Sequence, residues 1–208
     1  MESLATVVSR QFQALSPLEL LAVLLAVGYL LLAIRQNIWC WFFAATSTAI
    51  YVYLFLQAKL YMESLLNIFY FAMALYGWYI WYFGRVGNAE LPVSVWSRSI
   101  HAVALVVIAA ISLTTGYLLD RFTDAAFPYV DSLTTWSAVW ATFLVARKVL
   151  ENWWYWLVID VVSVFIYWAR DLQLTSLLFV IYVMLVPIGL VNWTRSYREV
   201  RQAVPVVS

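Results

Sequence analysis

The chain has 208 residues, 65% hydrophobic and 11% charged, with twelve basic and eleven acidic side chains that leave a net charge of +1. A soluble domain carries about 25% charged residues, and the mean hydropathy here is +0.86. Composition therefore excludes a soluble globular protein and predicts a polytopic membrane protein whose main partner is the lipid bilayer. The small net charge gives no footing for nucleic acid, and the single cysteine, Cys40, excludes an intramolecular disulfide and a multi-cysteine metal site.

In chain order, residues 1–16 read as an N-terminal tail, and no cleavage site follows the first apolar run, so that run reads as a retained helix. Seven apolar runs are then long enough for a ~30 Å hydrocarbon core, which takes roughly 20 helical residues. They lie at about 17–35, 39–57 and 63–83, then 99–119, then 133–150, 153–169 and 172–193, with ends uncertain by ~2–4 residues. Lipid cannot satisfy backbone N–H and C=O groups and the runs are too long for barrel strands, so all seven are expected to be helices. Residues 194–208 read as a tail.

The sequence repeats itself. Asn37-Ile-Trp39-Cys-Trp41 returns as Asn152-Trp-Trp154-Tyr-Trp156 at an interval of 115. Ser64-Leu65-Leu66, Tyr70, Gly77 and Trp81 return as Ser176-Leu177-Leu178, Tyr182, Gly189 and Trp193 at an interval of 112. The stretch joining the two blocks is therefore expected to be three residues shorter in the second copy. The predicted fold is all-α and integral to the membrane, with seven transmembrane helices in a 3+1+3 order. A three-helix repeat at 17–83 and another at 133–193 flank a linker helix with its loops at 84–132. An odd number of crossings per copy, plus one linker helix, makes the copies parallel, a pattern of transporters that carry substrate near the midplane.

Basic residues set the orientation. With the C-terminus inside, the cytoplasmic side holds Arg35, Arg85, Arg98, Arg147, Lys148, Arg195, Arg198 and Arg201, and the outer side only Arg10, Lys59, Arg121 and Arg170. The positive-inside rule then favours N-out and C-in. Nine of the twelve tryptophans fall near the cytoplasmic ends, a skew that an interfacial aromatic belt does not predict.

Asp160, midway along the sixth span, is the most expensive residue in the chain, since a carboxylate there costs roughly 2.5–3.5 kcal/mol and by default marks a pathway. Trp153, Trp156, Asp160, Ser163 and Tyr167 fall at helical steps of three and four and share a face. Aromatic planes beside a carboxylate and hydroxyls suit a flat, polar, cationic ligand. Asn67 and Tyr70 in the third span, Asn152 at the start of the sixth and Tyr182 in the seventh complete the candidate substrate-binding set. Capping explains Asn152 equally well, and helix bridging explains Asn67. His101 is the sole histidine, no metal-ligand spacing is present, and no GxSxG, HExxH or phosphate loop occurs. An enzyme, a catalytic site, a metal site and a cofactor are accordingly not expected.

The stretch Asn37–Trp81, and more specifically Ala146-Arg-Lys-Val-Leu-Glu-Asn-Trp153 to Trp156, resembles the PnuC family of nicotinamide riboside transporters. Lys59-Leu60-Tyr61, Tyr76-Gly-Trp-Tyr79 with Trp81, and Thr175-Ser-Leu-Leu178 with Tyr182 support it, over about residues 17 to 193. The resemblance implies a SWEET-like fold, a homotrimer in a bacterial inner membrane, and facilitated uptake of vitamin B3, with a cytosolic kinase trapping the product. It maps the family's Trp-x-x-Trp motif onto Trp153 and Trp156, beside Asn152. Two readings compete with it: the same fold carrying another flat cationic vitamin such as thiamine, and a membrane scaffold or receptor that transports nothing.

Overall fold

The computed structural model describes residues 3–59, 61–84, 90–124 and 126–203. Arg85 and Gly87 of the predicted connection, and the tail beyond residue 203, lie outside the described residues. Eight helices are present among them: α1 (Leu4–Ala14), α2 (Pro17–Ile34), α3 (Cys40–Gln57), α4 (Tyr61–Phe83), α5 (Arg98–Phe122), α6 (Pro128–Ala146), α7 (Asn152–Ala169) and α8 (Gln173–Ala203).

Three bounds differ from the sequence reading, each for a local reason. The stretch read as a tail contains α1, whose first turn is capped by the Ser3 side chain accepting from the Thr6 N–H at 3.2 Å. α6 starts at Pro128 rather than 133, because a proline in the first turn costs no helical hydrogen bond. α8 continues ten residues past Trp193, through a polar, arginine-bearing segment that is helical although not apolar. At 31 residues it is about 46 Å long, longer than a bilayer core requires. By length and composition alone, α2, α3, α5 and α8 can each cross a membrane. α4, α6 and α7 are as long but carry their apolar surface as Trp and Tyr, which lowers their mean hydropathy.

Paired features recur at an interval of 112 residues. α3 and α7 are both 18 residues long and start at Cys40 and Asn152. Left-handed backbone stands at Gln36 and Lys148 (φ 56° and 50°) and at Lys59 and Asp171 (φ 59° and 56°). The first two of these end α2 and α6 with the same closing bonds, Asn37 N–H to the Leu32 carbonyl and Val149 N–H to the Leu144 carbonyl, both 2.9 Å. The Ser64 hydroxyl donates to the Val52 carbonyl at 3.3 Å, and that of Ser176 to the Val164 carbonyl at 2.9 Å. This corrects the interval of 115 and the expected three-residue deletion. Asn152 stands where Cys40 does and Trp153 where Trp41 does; the asparagine and tryptophan matches of the sequence comparison are a coincidence of composition.

The middle helix of each triplet is the second. α3 packs on α2 and α4, α7 packs on α6 and α8, and the rows join through α2 against α8 and α4 against α6. The result is a ring of six helices in which, among the described residues, the backbones of α3 and α7 do not pack directly on each other. α5 stands outside it against α6, and α1 lies on α8.

Candidate functional site

At one end the ring is filled by tryptophan. Trp41 and Trp81 meet edge-on at 5.4 Å, Trp153 and Trp193 at 5.5 Å, and Trp81 and Trp193 join the two pairs at 6.3 Å. Each pair closes over a glycine. A Cβ on Gly77 would sit inside the Trp41 ring and one on Gly189 inside the Trp153 ring, so no other residue lets α4 approach α3, or α8 approach α7, so closely. Trp153 is 2% exposed and packed on both sides, and it presents no free ring face to a ligand. Asn152 is fully buried, with its amide N–H on the Val149 carbonyl at 2.7 Å. The structure places both in the packed end of the ring, behind the position of any ligand in its middle.

One turn further along α7 the surroundings change. Trp156 is half-buried and borders both the tryptophan cluster and a smaller one of Ala138, Ala141 and Ile159, against which Tyr70 of α4 also packs. Asp160 follows, 4% exposed, then Ser163 at 6%. Among the described residues no donor or cation pairs with the Asp160 carboxylate, yet its oxygens are not sealed from a water-sized probe. A buried carboxylate in that condition faces a space rather than a packing partner. Tyr182 (α8) lies near Asp160 and Tyr51 (α3), and Tyr70 (α4) lies near Tyr29 (α2), which packs on Trp41 at the tryptophan end, and near Tyr167 (α7), which stacks on Phe179 toward the other end. Helices α2, α3, α4, α7 and α8 thus each bring a tyrosine to the ring, at different depths along it.

Of the residues expected from sequence, Trp156, Asp160, Tyr70 and Tyr182 come together. Asn67 lies nearer the other end, one amide N–H donating to the Glu63 carbonyl at 2.9 Å, which leaves its oxygen and its second N–H for a ligand. Tyr29 and Tyr51 were missed. The signal for Tyr51 was available: the interval of 112 sets it opposite Ser163. The same interval makes the ring asymmetric, because Asp160 faces Thr48 and Trp156 faces Ala44 at equivalent positions, so the charge and the aromatic plane both belong to α7.

A groove of about 470 Å³ lies elsewhere, between α5 and α6, lined by Ser99, Ile100, Val103, Ala104, Val107, Ile108 and Trp140. It is aliphatic and turned outward, where acyl chains would lie, and it holds none of the ring's polar groups. Among the described residues no cluster of His, Cys, Asp or Glu could hold a metal ion.

Residues 16–195 match the family described as nicotinamide mononucleotide transporter. The nicotinamide riboside transporter PnuC of Escherichia coli is 29% identical over 206 residues, covering 86% of this chain and 84% of that one. The riboflavin/roseoflavin transporter RibM of Streptomyces davaonensis is 29% identical over 136 residues, covering 62% and 63%. The crystal structure of the vitamin B3 transporter PnuC superposes with a TM-score of 0.71 at 19% identity, over 94% of this chain and 90% of that one, so the fold is shared.

Proposed function

Because the chain belongs to the nicotinamide mononucleotide transporter family and is a multi-pass membrane protein rather than an enzyme, we propose that its cargo is nicotinamide riboside, bound in the middle of the six-helix ring. The observation that carries this reading is the Asp160 carboxylate, buried, without a bonded partner among the described residues, and one turn along α7 from Trp156. The cargo is a flat pyridinium cation with an amide and a hydroxylated ribose. Trp156 covers the ring plane by cation–π attraction and Asp160 offsets its charge. Tyr70, Tyr182 and the Asn67 amide accept or donate at its polar edges. Trp153 and Asn152 act from behind, fixing the start of α7 so that Trp156 stays in place.

In this reading α2–α4 and α6–α8 are two parallel copies of one three-helix unit, with α5 as the linker helix between them and seven spans in all. The recurrence at 112 residues supports it. Transport is facilitated diffusion: the copies rock against each other, the ligand enters from the N-terminal side, and cytosolic phosphorylation prevents its return. The N-terminus is outside and the C-terminus in the cytoplasm of a bacterial inner membrane, where the protein assembles as a homotrimer.

The test is equilibrium binding to the purified protein followed by uptake into sealed vesicles, with nicotinamide riboside, thiamine and riboflavin side by side. Binding and flux of nicotinamide riboside alone support the proposal. Thiamine or riboflavin in its place keeps the fold and reassigns the cargo. Binding without flux makes the protein a receptor.

A further inference from the structure

The two ends of the ring are closed in different ways. One is filled by the interlocked tryptophans. At the other end, α1 lies on the surface against α8 and runs into the start of α2. This short helix has no fully buried residue, and its part-buried positions are Val7, Val8 and Gln11, which turn it onto α8. Only Leu15 and Ser16 separate it from α2, so it is tethered to the first half of the ring while it rests on the second.

Gln11 is where it grips. Its amide N–H group donates to the Asp171 carbonyl and to the Gln173 side-chain oxygen, both at 2.8 Å. Its carbonyl accepts from the Leu174 N–H, also at 2.8 Å. One side chain thereby uses both ends of its amide on the turn between α7 and α8. That turn is itself stiff: Asp171 holds left-handed backbone (φ 56°), and Arg170 beside it pairs with Asp131 of α6. The grip is on a rigid part of the second half, and it is long-range in sequence, joining positions 160 or more residues apart.

The geometry points to α1 as a clasp: Gln11 holds the α2–α8 seam shut, and it must release the α7–α8 turn before the middle of the ring communicates with solvent at that end. The grip is of a strength suited to a gate. Three hydrogen bonds at a wet surface hold a closed state in place, yet each is exchangeable for water at little net cost. Loss of the grip shifts an open–closed equilibrium without touching any group that faces a ligand. The apolar Leu4 and Phe12 of α1 are more than half exposed, as expected of a helix lying at a lipid surface and only lightly held there. The inference holds whatever the cargo is.

The experiment reads access to the middle of the ring directly. In the full chain carrying Cys40→Ala, Ser163→Cys reports on the space beside Asp160, and its reaction with a charged maleimide is followed by peptide mass spectrometry. Gln11→Ala should speed labelling at residue 163 roughly tenfold. In the same background, Gln11→Cys with Gln173→Cys, closed as a disulfide, should slow it by roughly tenfold or more, and prior reduction should restore the rate. Equal labelling rates with the disulfide closed and open would overturn the proposal, because the ring would then open without α1 leaving the turn. An unchanged rate in Gln11→Ala would overturn it independently.

Discussion

The indole N–H of Trp81 donates to the main-chain carbonyl of Ala146 at 3.1 Å, across the seam between α4 and the end of α6. The reciprocal bond runs from Trp193 to the Ala33 carbonyl at 3.0 Å. Trp81 thus satisfies a carbonyl that the last turn of α6 leaves without a helical partner, whereas Trp193 adds a second bond to the Ala33 carbonyl, which already accepts from the Gln36 N–H at 2.9 Å. The two indoles that give these bonds also touch each other. This end is therefore the natural pivot of any rocking motion, because the contacts that join the halves there are buried and mutual.

Trp81→Phe and Trp193→Phe both keep the ring contact and remove the hydrogen bond. Trp81→Phe leaves the Ala146 carbonyl unpaired and is expected to cost about 1–3 kcal/mol, whereas Trp193→Phe leaves the Ala33 carbonyl its bond from the Gln36 N–H and is expected to cost nearer ~0.6 kcal/mol. Thermal unfolding of the purified protein in detergent measures this. A double mutant less destabilised than the sum would show that the two bonds work as one unit.

Gly77→Ala and Gly189→Ala place a methyl group inside the Trp41 and Trp153 rings. Overpacking of this kind costs about 1–3 kcal/mol. Because the clash is with one side chain, Trp41→Phe should recover part of the loss in Gly77→Ala, and Trp153→Phe should do so for Gly189→Ala. Equal melting temperatures for the glycine and alanine forms would mean that the helices separate easily at these points.

On the ligand side, Asp160→Asn is expected to weaken binding of a cationic ligand roughly tenfold, equivalent to ~1.4 kcal/mol. A neutral analogue of the same shape should lose little. Calorimetry with the pair of ligands separates the two cases, and equal losses would assign Asp160 to hydrogen bonding instead of charge.

Trp156→Ala should weaken binding of any flat cation by roughly tenfold while the protein still purifies folded. Trp153→Phe, which keeps an aromatic on Gly189, should lower the melting temperature and leave affinity nearly as it was. Reversal of that pattern would place the ligand at the tryptophan end of the ring.

Arg170 and Asp131 form a part-buried ion pair between α6 and the α7–α8 turn, 31% and 28% exposed. Asp131→Ala is expected to cost about 1 kcal/mol or less, given the solvent still present. The exchange Asp131→Arg with Arg170→Asp should recover most of it in a double-mutant cycle of thermal stabilities.

Hydropathy and aromatic spacing determined a great deal without any coordinates. Lipid imposes helices on long apolar runs, so an all-helical membrane protein was legible from hydropathy, while the count was not: eight helices are described where seven were expected. Asp160 stood out because an acid in such a run is costly wherever the helix points. The short interfacial α1 was invisible to the same reasoning, since eleven residues with Ser, Thr, Arg and Gln do not read as a span. Tertiary structure decided what a one-dimensional pattern cannot carry. Two tryptophans three residues apart on α7 look equivalent in sequence, yet Trp153 turns toward Gly189 and is sealed in packing. Trp156, 100° further round the same helix for each residue of advance, reaches the polar middle of the ring. The repeat was legible but its register was not, because Asn-x-Trp matched Asn-x-Trp three positions away. The left-handed turns at Gln36 and Lys148, set by backbone closure rather than by side-chain identity, fixed the interval at 112 and with it which residues of the two halves face each other.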